Sequence, residues 1–182
     1  MPRQQESILN DLTARELMNS SGNVSTTLAC GLAGEVVRIF GEVRLRVSGT
    51  SMVPSILPGD VISVRHAGPF EVSPGEIVLY AREGRLFAHR VVTRAGSPER
   101  PFLITRGDRH YHTDPPVYSS ELLGQVHFIE RRQMRLRPAT GLSFWELMIV
   151  LLLRSSDRAT YLYLRLAACW PSVFSKWTAC RA

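Results

Sequence analysis

Between Val43 and Glu130, hydrophobic and polar residues alternate with a period of two in short runs. Six runs are rich in β-branched and aromatic residues: VRLRV, VISV, EIVLY, LFAHRVV, PFLIT and GQVHFIE. Turn signals separate them, namely Pro58-Gly59-Asp60, Pro74-Gly75 and Glu83-Gly84. Such spacing is typical of antiparallel strands joined by tight turns. We therefore predict a mostly β fold, with a compact antiparallel β domain over residues 43–131.

The N-terminal region, residues 1–42, has the period of helices instead. Residues Arg3 to Asn19 predict a weakly amphipathic helix, which the sequence SSGN ends. A second helix is predicted over Ser25 to Phe40, with an apolar stripe formed by Leu28, Leu32, Val36 and Phe40. This helix is short and carries Glu35 and Arg38, so we do not expect it to span a bilayer alone.

The C-terminal region, residues 132–182, contains two apolar pieces, LSFWELMIVLLL and ATYLYLRLAACW, on either side of Arg154 to Arg158. Neither piece has the roughly 20 residues that are needed to cross hydrocarbon. Their Trp, Tyr and flanking Arg residues suit a helical hairpin in the membrane interface. A buried core helix pair fits them equally well. The first interpretation predicts a membrane-associated protein, peripheral or with a degenerate anchor, and the second a cytoplasmic one.

Charge adds a candidate partner. The chain of 182 residues carries a net charge of +6, and Lys176 is its only lysine, so the positive charge is almost all arginine. This charge suits an anionic membrane surface at least as well as nucleic acid, and a solvated basic surface also accounts for it. No nucleic-acid-binding motif accompanies the charge, so we expect no nucleic-acid partner.

The cysteines and the N-terminus exclude some classes of protein. Cys30, Cys169 and Cys180 are odd in number and lack metal-ligand spacing, which predicts neither a disulfide framework nor a zinc site. We expect no cofactor and no metal. The N-terminal sequence has no continuous apolar run, so it is not a secretory signal peptide.

One stretch suggests a nucleophile. VSGTSMVPSILPGD, from Val47 to Asp60, places Ser51 among glycines, prolines and apolar residues, as in a rigid loop that presents one side chain. Serine is a weak nucleophile until a neighbouring base takes its proton. Lys176 lies far away in the tail, so the candidate bases are the histidines His66, His89, His110, His112 and His127.

His89 has the most informative local pattern of the five. In RLFAHRVV, alternation places Phe87, His89 and Val91 on one face of a strand. Desolvation there disfavours the imidazolium form and favours a neutral base near pH 7. A core histidine that is satisfied by a backbone carbonyl is the alternative interpretation.

Two carboxylates follow in ITRGDRHYHTDPPV. Asp108 comes after a glycine at a strand end, and Asp114 precedes a double proline that restricts the loop. A loop carboxylate of this kind could orient an imidazole and stabilise its protonated form.

Taken together, SGTSMVPSILPGD, AHRVV and GD with a second Asp before proline resemble the type I signal peptidase family. The resemblance covers Val47 to Glu130. The common bacterial form of the family has a lysine where this chain has His89, whereas the archaeal and endoplasmic-reticulum form has a histidine there. The resemblance therefore implies a signal-peptidase-like β domain and a serine endopeptidase that processes signal or precursor peptides by a Ser-His(-Asp) mechanism.

Site residues follow from the same resemblance. It implies Ser51 as nucleophile and His89 as general base, with Asp108 and Asp114 as candidate acids. Of the two, we favour Asp114 as the partner of His89 and Asp108 as a residue that structures the loop. The main-chain N–H of Ser51 is the expected oxyanion donor, a contact worth roughly 3 kcal/mol. Some family members add a serine hydroxyl two residues before the nucleophile, where this chain has Gly49, so a second donor would have to be Thr50, Ser48 or a main-chain group, or be absent. We expect activity to fall as His89 becomes protonated below neutral pH.

The implied substrate is a peptide or preprotein with small residues at the cut, added as an extended strand beside the site. Three rival interpretations remain. A self-cleaving repressor-type peptidase shares this fold, and ACG at residues 29–31 resembles the bond that such proteins cut, although they use a lysine base. Asp108, His110, His112 and Asp114 alternate and could bind a metal if the chain were extended. An inactive peptidase-like interaction module is the third.

Overall fold

The computed structural model describes residues 28–169 apart from Ala29. Eight strands follow the first helix in chain order: β1 (Glu42–Arg46), β2 (Val61–Arg65), β3 (Ile77–Arg82), β4 (Arg85–Ser97), β5 (Arg100–Arg106), β6 (Val117–Tyr118), β7 (Leu122–Arg131) and β8 (Met134–Leu136). The helices are α1 (residues 30–40), α2 (Phe144–Ser155) and α3 (Asp157–Cys169). The helix predicted over Arg3 to Asn19 lies outside the described residues.

All eight strands belong to one antiparallel sheet, with the order β1-β2-β7-β3-β4-β5-β6 and β8 paired to β7. The predicted mostly β, antiparallel fold is confirmed. The six alternating runs correspond to β1 to β5 and β7. The sequence pattern missed β6 and β8, which have two and three residues and are too short to display a period. Because β8 follows residue 131, the sheet extends beyond the predicted boundary.

The central strand β3 explains how one sheet encloses two cores. Its residues from Ile77 to Tyr80 are all buried. Successive side chains of a strand point to opposite faces. Ile77 and Leu79 therefore join one hydrophobic cluster, while Val78 and Tyr80 join a second one. The first cluster contains Met52, from the loop that carries Ser51.

Helix α1 packs through a different face from the predicted one. Leu28, Leu32 and Phe40 of the expected stripe are exposed, and the buried side chains are Cys30, Ala33 and Val37. Small residues allow close approach: a Cβ at Gly34 would already lie 3.3 Å from Leu123. The Cys30 thiol donates to the carbonyl of Gly84 at 3.0 Å, which ties α1 to the β3–β4 turn. Close packing of small side chains, rather than apolar size, selects this face.

The C-terminal pieces form a helical hairpin that is buried on one side. Ser143 caps α2 through a capping box with Glu146, an arrangement that satisfies main-chain N–H groups at a helix start. Val150 and Leu153 of α2 and Ala167 of α3 are buried. The outer face is exposed and apolar: Phe144, Trp145, Leu147, Met148, Leu151 and Leu152 of α2, and Tyr161, Leu162 and Leu166 of α3. None of the helices in the described part of the chain is both long and apolar enough to cross a bilayer.

Candidate active site

The loop between β1 and β2 holds Ser51 in a fixed position. Val47 donates its main-chain N–H to the carbonyl of Asp60 at 2.8 Å, and Gly59 donates to the carbonyl of Val47 at 2.7 Å. The buried carboxylate of Asp60 accepts from the main chain of Leu57 at 2.8 Å and from the guanidinium of Arg131 at 2.7 Å. The Pro-Gly-Asp sequence therefore closes the loop at its base, and Ser51 projects from a structure with few free torsions.

His89 lies in the middle of β4, opposite Val78 of β3, and is only 3% exposed. As predicted from alternation, it shares its face with Phe87, and the two rings lie 6.0 Å apart. Its Nε2 atom is 3.0 Å from Oγ of Ser51. Strand β4 thus places a buried imidazole next to Ser51 in the loop between β1 and β2, which we call the nucleophile loop.

Asp114 reaches the other side of the same imidazole. Its Oδ2 atom is 2.7 Å from Nδ1 of His89. The hydroxyl of the buried Thr105 donates to the same oxygen at 2.6 Å, and the main-chain N–H of Asp114 donates to the carbonyl of Thr105 at 2.8 Å. The end of β5 therefore fixes the carboxylate from two directions.

These contacts set the tautomer of His89. A carboxylate only accepts hydrogen bonds, so the proton on the ring must reside on Nδ1, facing Asp114. Nε2 is then left as an acceptor for the hydroxyl proton of Ser51. Ser51, His89 and Asp114 are thus joined by hydrogen bonds through one imidazole, an arrangement in which a serine can act as nucleophile, a histidine as base and a carboxylate as the orienting acid.

The charge of Asp114 is protected by its partners. Burial acts to raise the pKa of Asp114, but hydrogen bonds from His89 and Thr105 outweigh it and hold the pKa below its ordinary value. Burial and the charge of Asp114 raise the pKa of the nearby Tyr80 phenol to about 12. Tyr80 therefore remains a neutral phenol beside the pair, with its oxygen 3.4 Å from Nδ1 of His89.

Asp108, the second candidate acid, faces a different partner. Its carboxylate pairs with the guanidinium of Arg90 at 2.8 Å and 2.7 Å, and accepts a hydrogen bond from Ser55 at 2.5 Å. Arg90 also donates to the carbonyls of Gly75 and Ala139. Asp108 therefore joins the loop between β5 and β6, which we call the acid loop, to the nucleophile loop. It does not contact His89. The loop-structuring role that we expected for Asp108 stays a prediction.

The alternating Asp and His residues do not converge on a metal. Asp108 binds Arg90, Asp114 binds His89, and the described residues include no group of three or more metal-ligand side chains. His110 instead lies edge-on to His89, with ring centroids 5.5 Å apart. Partial burial of the ring and the neighbouring His89 lower the pKa of His110, although the residue as a whole is exposed. It is a second, uncharged imidazole beside the site, a placement that the loop sequence does not reveal.

The nucleophile loop also supplies candidate oxyanion donors. Within the described chain, no group accepts a hydrogen bond from the main-chain N–H of Ser51 or from the Thr50 hydroxyl. Both groups line the same groove as the Ser51 side chain. An unpaired donor at the nucleophile can turn to the negative oxygen of a tetrahedral intermediate.

A groove of about 590 Å³ leads to Ser51. Its lining includes the segment from Val47 to Thr50, the start of β4 at residues 85–88, and apolar residues such as Leu45, Ile62 and Leu79. Strand β5 pairs with β4 only from Arg90 onward. Residues 85–88 of β4 pair with β3 on one edge. Their other edge therefore has no partner strand in the part of the chain that the structure describes. A free strand edge beside a nucleophile is suited to an extended peptide.

Comparison with known families agrees with this geometry. Residues 38–106 match the model of the family described as Peptidase S24-like. This region is similar to the S24-like peptidases. The S24-like region contains Ser51 and His89 and ends before Asp108 and Asp114. It has the fold of a serine peptidase. The match does not distinguish a signal peptidase from a self-cleaving repressor-type peptidase. No curated protein matches the chain.

Several functional contacts were invisible to sequence reasoning. Thr105 and Tyr80 looked like ordinary strand residues, yet both surround the His89–Asp114 pair. Arg90 follows His89 directly and could only have been identified as a partner of Asp108 with knowledge of strand pairing. Arg154, which donates to main-chain carbonyls of the acid loop, lies in the apolar C-terminal region and outside every motif that the sequence analysis used.

Proposed function

We propose that this protein is a serine endopeptidase of the signal-peptidase type, with Ser51 as nucleophile, His89 as general base and Asp114 as the orienting acid. The observation that carries the proposal is the pair of contacts on one buried imidazole, 3.0 Å to Ser51 and 2.7 Å to Asp114. The S24-like match over residues 38–106 supports the peptidase chemistry, and the histidine base supports the signal-peptidase type.

The chemistry follows from the tautomer. Oγ of Ser51 attacks the scissile carbonyl carbon while its proton moves to Nε2 of His89. Asp114 stabilises the imidazolium that forms, and its low pKa keeps it ionised throughout. The carbonyl oxygen becomes negative and accepts from the main-chain N–H of Ser51, with Thr50 as a second donor. His89 then returns the proton to the leaving amine, and water releases the acyl group by the same steps.

The substrate is an extended peptide. Its main chain adds to the free edge of β4, between that strand and the segment from Val47 to Thr50. Its apolar side chains pack against the apolar residues that line the groove. Met52 and Ile56, which line the groove, belong to the closed core cluster, so room for a side chain beside Ser51 is limited. We therefore propose cleavage after small residues.

A peptide panel tests this specificity. We expect the purified protein to cleave apolar precursor peptides with Ala before the cut at least about ten times faster than matched peptides with Phe there. Mass spectrometry of the products gives both the rate and the position of the cut. Equal rates for the two series would contradict the proposed size selection. A failure to cleave any peptide would favour an inactive interaction module.

Self-cleavage is the second candidate function, because Cys30 lines the same groove as Ser51. The residues 30 and 31 are helical, so this segment would have to unwind before it could enter the groove as a strand. Mass spectrometry of the purified protein at several dilutions distinguishes the candidates. A cut near Cys30 at a rate independent of protein concentration would favour self-cleavage, and an intact chain that cleaves added peptides would favour the signal-peptidase type.

We further propose that the outer face of the α2–α3 hairpin rests on an anionic membrane surface. Its exposed apolar residues include Trp145 and Tyr161, aromatic types that prefer the bilayer interface. Arg158 and Arg165 are exposed on α3, on either side of Tyr161 in the sequence. Arginines interleaved with large apolar side chains complement anionic lipid headgroups better than they complement a second copy of the same basic face.

Vesicle sedimentation tests the membrane proposal. We expect binding to vesicles that contain phosphatidylglycerol and much weaker binding to pure phosphatidylcholine. Trp145→Glu with Leu152→Glu should lower the binding constant at least about tenfold, equivalent to roughly 1.4 kcal/mol. Tyr118→Glu, on the exposed strand β6, is the matched control and should bind like the wild type. Wild-type dimerisation without vesicle binding would contradict the membrane assignment in favour of a second copy.

A further inference from the structure

We propose that Arg154 is a positioning residue of the peptidase site, and that through it the α2–α3 hairpin forms a working part of that site. The inference deepens the proposed function and rests on it. Arg154 lies on α2, well outside the S24-like region of residues 38–106.

Arg154 fastens the acid loop between β5 and β6. Its guanidinium donates to three consecutive main-chain carbonyls, those of Asp108 at 3.0 Å, Arg109 at 3.2 Å and His110 at 2.7 Å. It also lies 4.9 Å from the ring centre of Tyr111. Three consecutive carbonyls that accept from one guanidinium restrict the path of the loop.

A second bond runs in the opposite direction. The guanidinium of Arg109, in the loop, donates to the hydroxyl of Thr160 on α3 at 2.8 Å. Thr160 is buried, and its own hydroxyl lies 3.3 Å from the carbonyl of Leu153 on α2. The loop and both helices are thus joined by side chains that point toward one another.

The same loop touches the nucleophile. The main-chain N–H of Arg109 donates to the carbonyl of Ser51 at 2.9 Å. Gly107 is packed so tightly that an added Cβ would lie 2.9 Å from this carbonyl and 3.0 Å from His110. A few residues further on, the loop delivers Asp114 to His89. One segment therefore sets the position of the nucleophile and of the acid at once.

The mechanical consequence is specific. Residues 109–113 contain no strand or helix, and residues 110–113 are exposed, so contacts from outside must hold this stretch. Without Arg154, the three carbonyls turn to water, and the bonds that the loop makes to Ser51 and His89 lengthen. Displacements of this kind lower the rate of the chemical step more than they lower substrate binding, since of residues 109–113 only His110 lines the groove.

Steady-state kinetics with the full chain test the proposal. We expect Arg154→Ala to lower kcat by about 10²-fold while KM changes less than about threefold. Arg154→Lys keeps the charge but loses the fork of donors, so it should recover part of kcat. Arg100→Ala, at the exposed start of β5, is the matched control and should keep wild-type kinetics. Wild-type kcat in Arg154→Ala, with Arg100→Ala also normal, would overturn the inference.

A readout without turnover separates the two proposals. The proton shared by Nδ1 of His89 and Asp114 should give a far-downfield proton resonance, which we expect to weaken or shift in Arg154→Ala at temperatures where the variant is folded. An unchanged resonance would overturn the positioning role. If the wild type neither cleaves peptides nor reacts with a fluorophosphonate, the proposed function is wrong, and the resonance alone still decides the role of Arg154.

Discussion

Replacement of Ser51 by alanine should lower kcat by about 10⁶-fold, which leaves only the slow hydrolysis that binding in the groove supports. The reason is that the hydroxyl at 3.0 Å from His89 is the only nucleophile aligned with that base among the described residues. Neither Ser48 nor Thr50, the neighbouring hydroxyls of the groove, bonds to the imidazole there. Peptide cleavage followed by mass spectrometry measures the loss.

Stability and a matched serine control make this result interpretable. Ser51 is only half-buried, so the free energy of unfolding of the alanine variant, measured in urea, should lie within about 0.5 kcal/mol of the wild-type value. Ser120→Ala, in the exposed β6–β7 turn, should keep full activity. Residual cleavage at the wild-type rate in the Ser51 variant would refute the assignment of the nucleophile.

Replacement of His89 by alanine should be as damaging as loss of the serine, again about 10⁶-fold in kcat. Without the imidazole, the Ser51 proton has no acceptor, and the negative charge of Asp114 faces a gap in place of its partner. The rate constant for fluorophosphonate labelling of Ser51 is a second measurement, because it reports activation of the nucleophile without a leaving amine.

Combining the two changes sharpens the test. Residues that act as one unit have strongly non-additive effects, so the double variant should be no less active than either single variant. Two independent contributions would instead multiply, and a further large loss in the double variant would argue against a shared proton transfer. His127→Ala, on β7, is the control for a histidine loss outside the site.

The site combines parts with different degrees of generality. Ser51 and His89 lie within the S24-like region, whereas Asp114 and Arg154 lie beyond it. The acid loop is anchored to β5 by Thr105, to the nucleophile loop by Asp108 and Arg90, and to the hairpin by Arg154. The S24-like region thus contains Ser51 and His89, and the segments that follow it contribute Asp114 and the residues that hold its loop.

Much of the β domain could be predicted because a half-buried strand imposes its period on the residues. The runs that became β1 to β5 and β7 alternate or are continuously apolar, and the same rule placed Phe87, His89 and Val91 on one face. The short strands β6 and β8 escaped because their pairing is decided by partners distant in sequence. The apolar stripe of α1 misled for a related reason: burial there follows the fit of Cys30 and Ala33 against the sheet.

The candidate site was predictable only as a set of alternatives. Residue types and their order nominated Ser51, His89, Asp108 and Asp114, since only certain side chains can attack, accept a proton or orient a base. Which aspartate meets His89 was not written in the local sequence, because both lie in one loop whose path depends on contacts with Arg90 and Thr105.

The amino-acid pattern determined the fold class, the strand that carries the imidazole and the chemical types available for catalysis, since these follow from local periodicity and side-chain chemistry. Tertiary structure decided that Asp114 contacts His89, that Asp108 joins two loops, and that Arg154 reaches the acid loop from the C-terminal hairpin. These outcomes depend on distances between groups that are far apart along the chain. Such distances are set by the packing of the whole sheet and not by any segment of it.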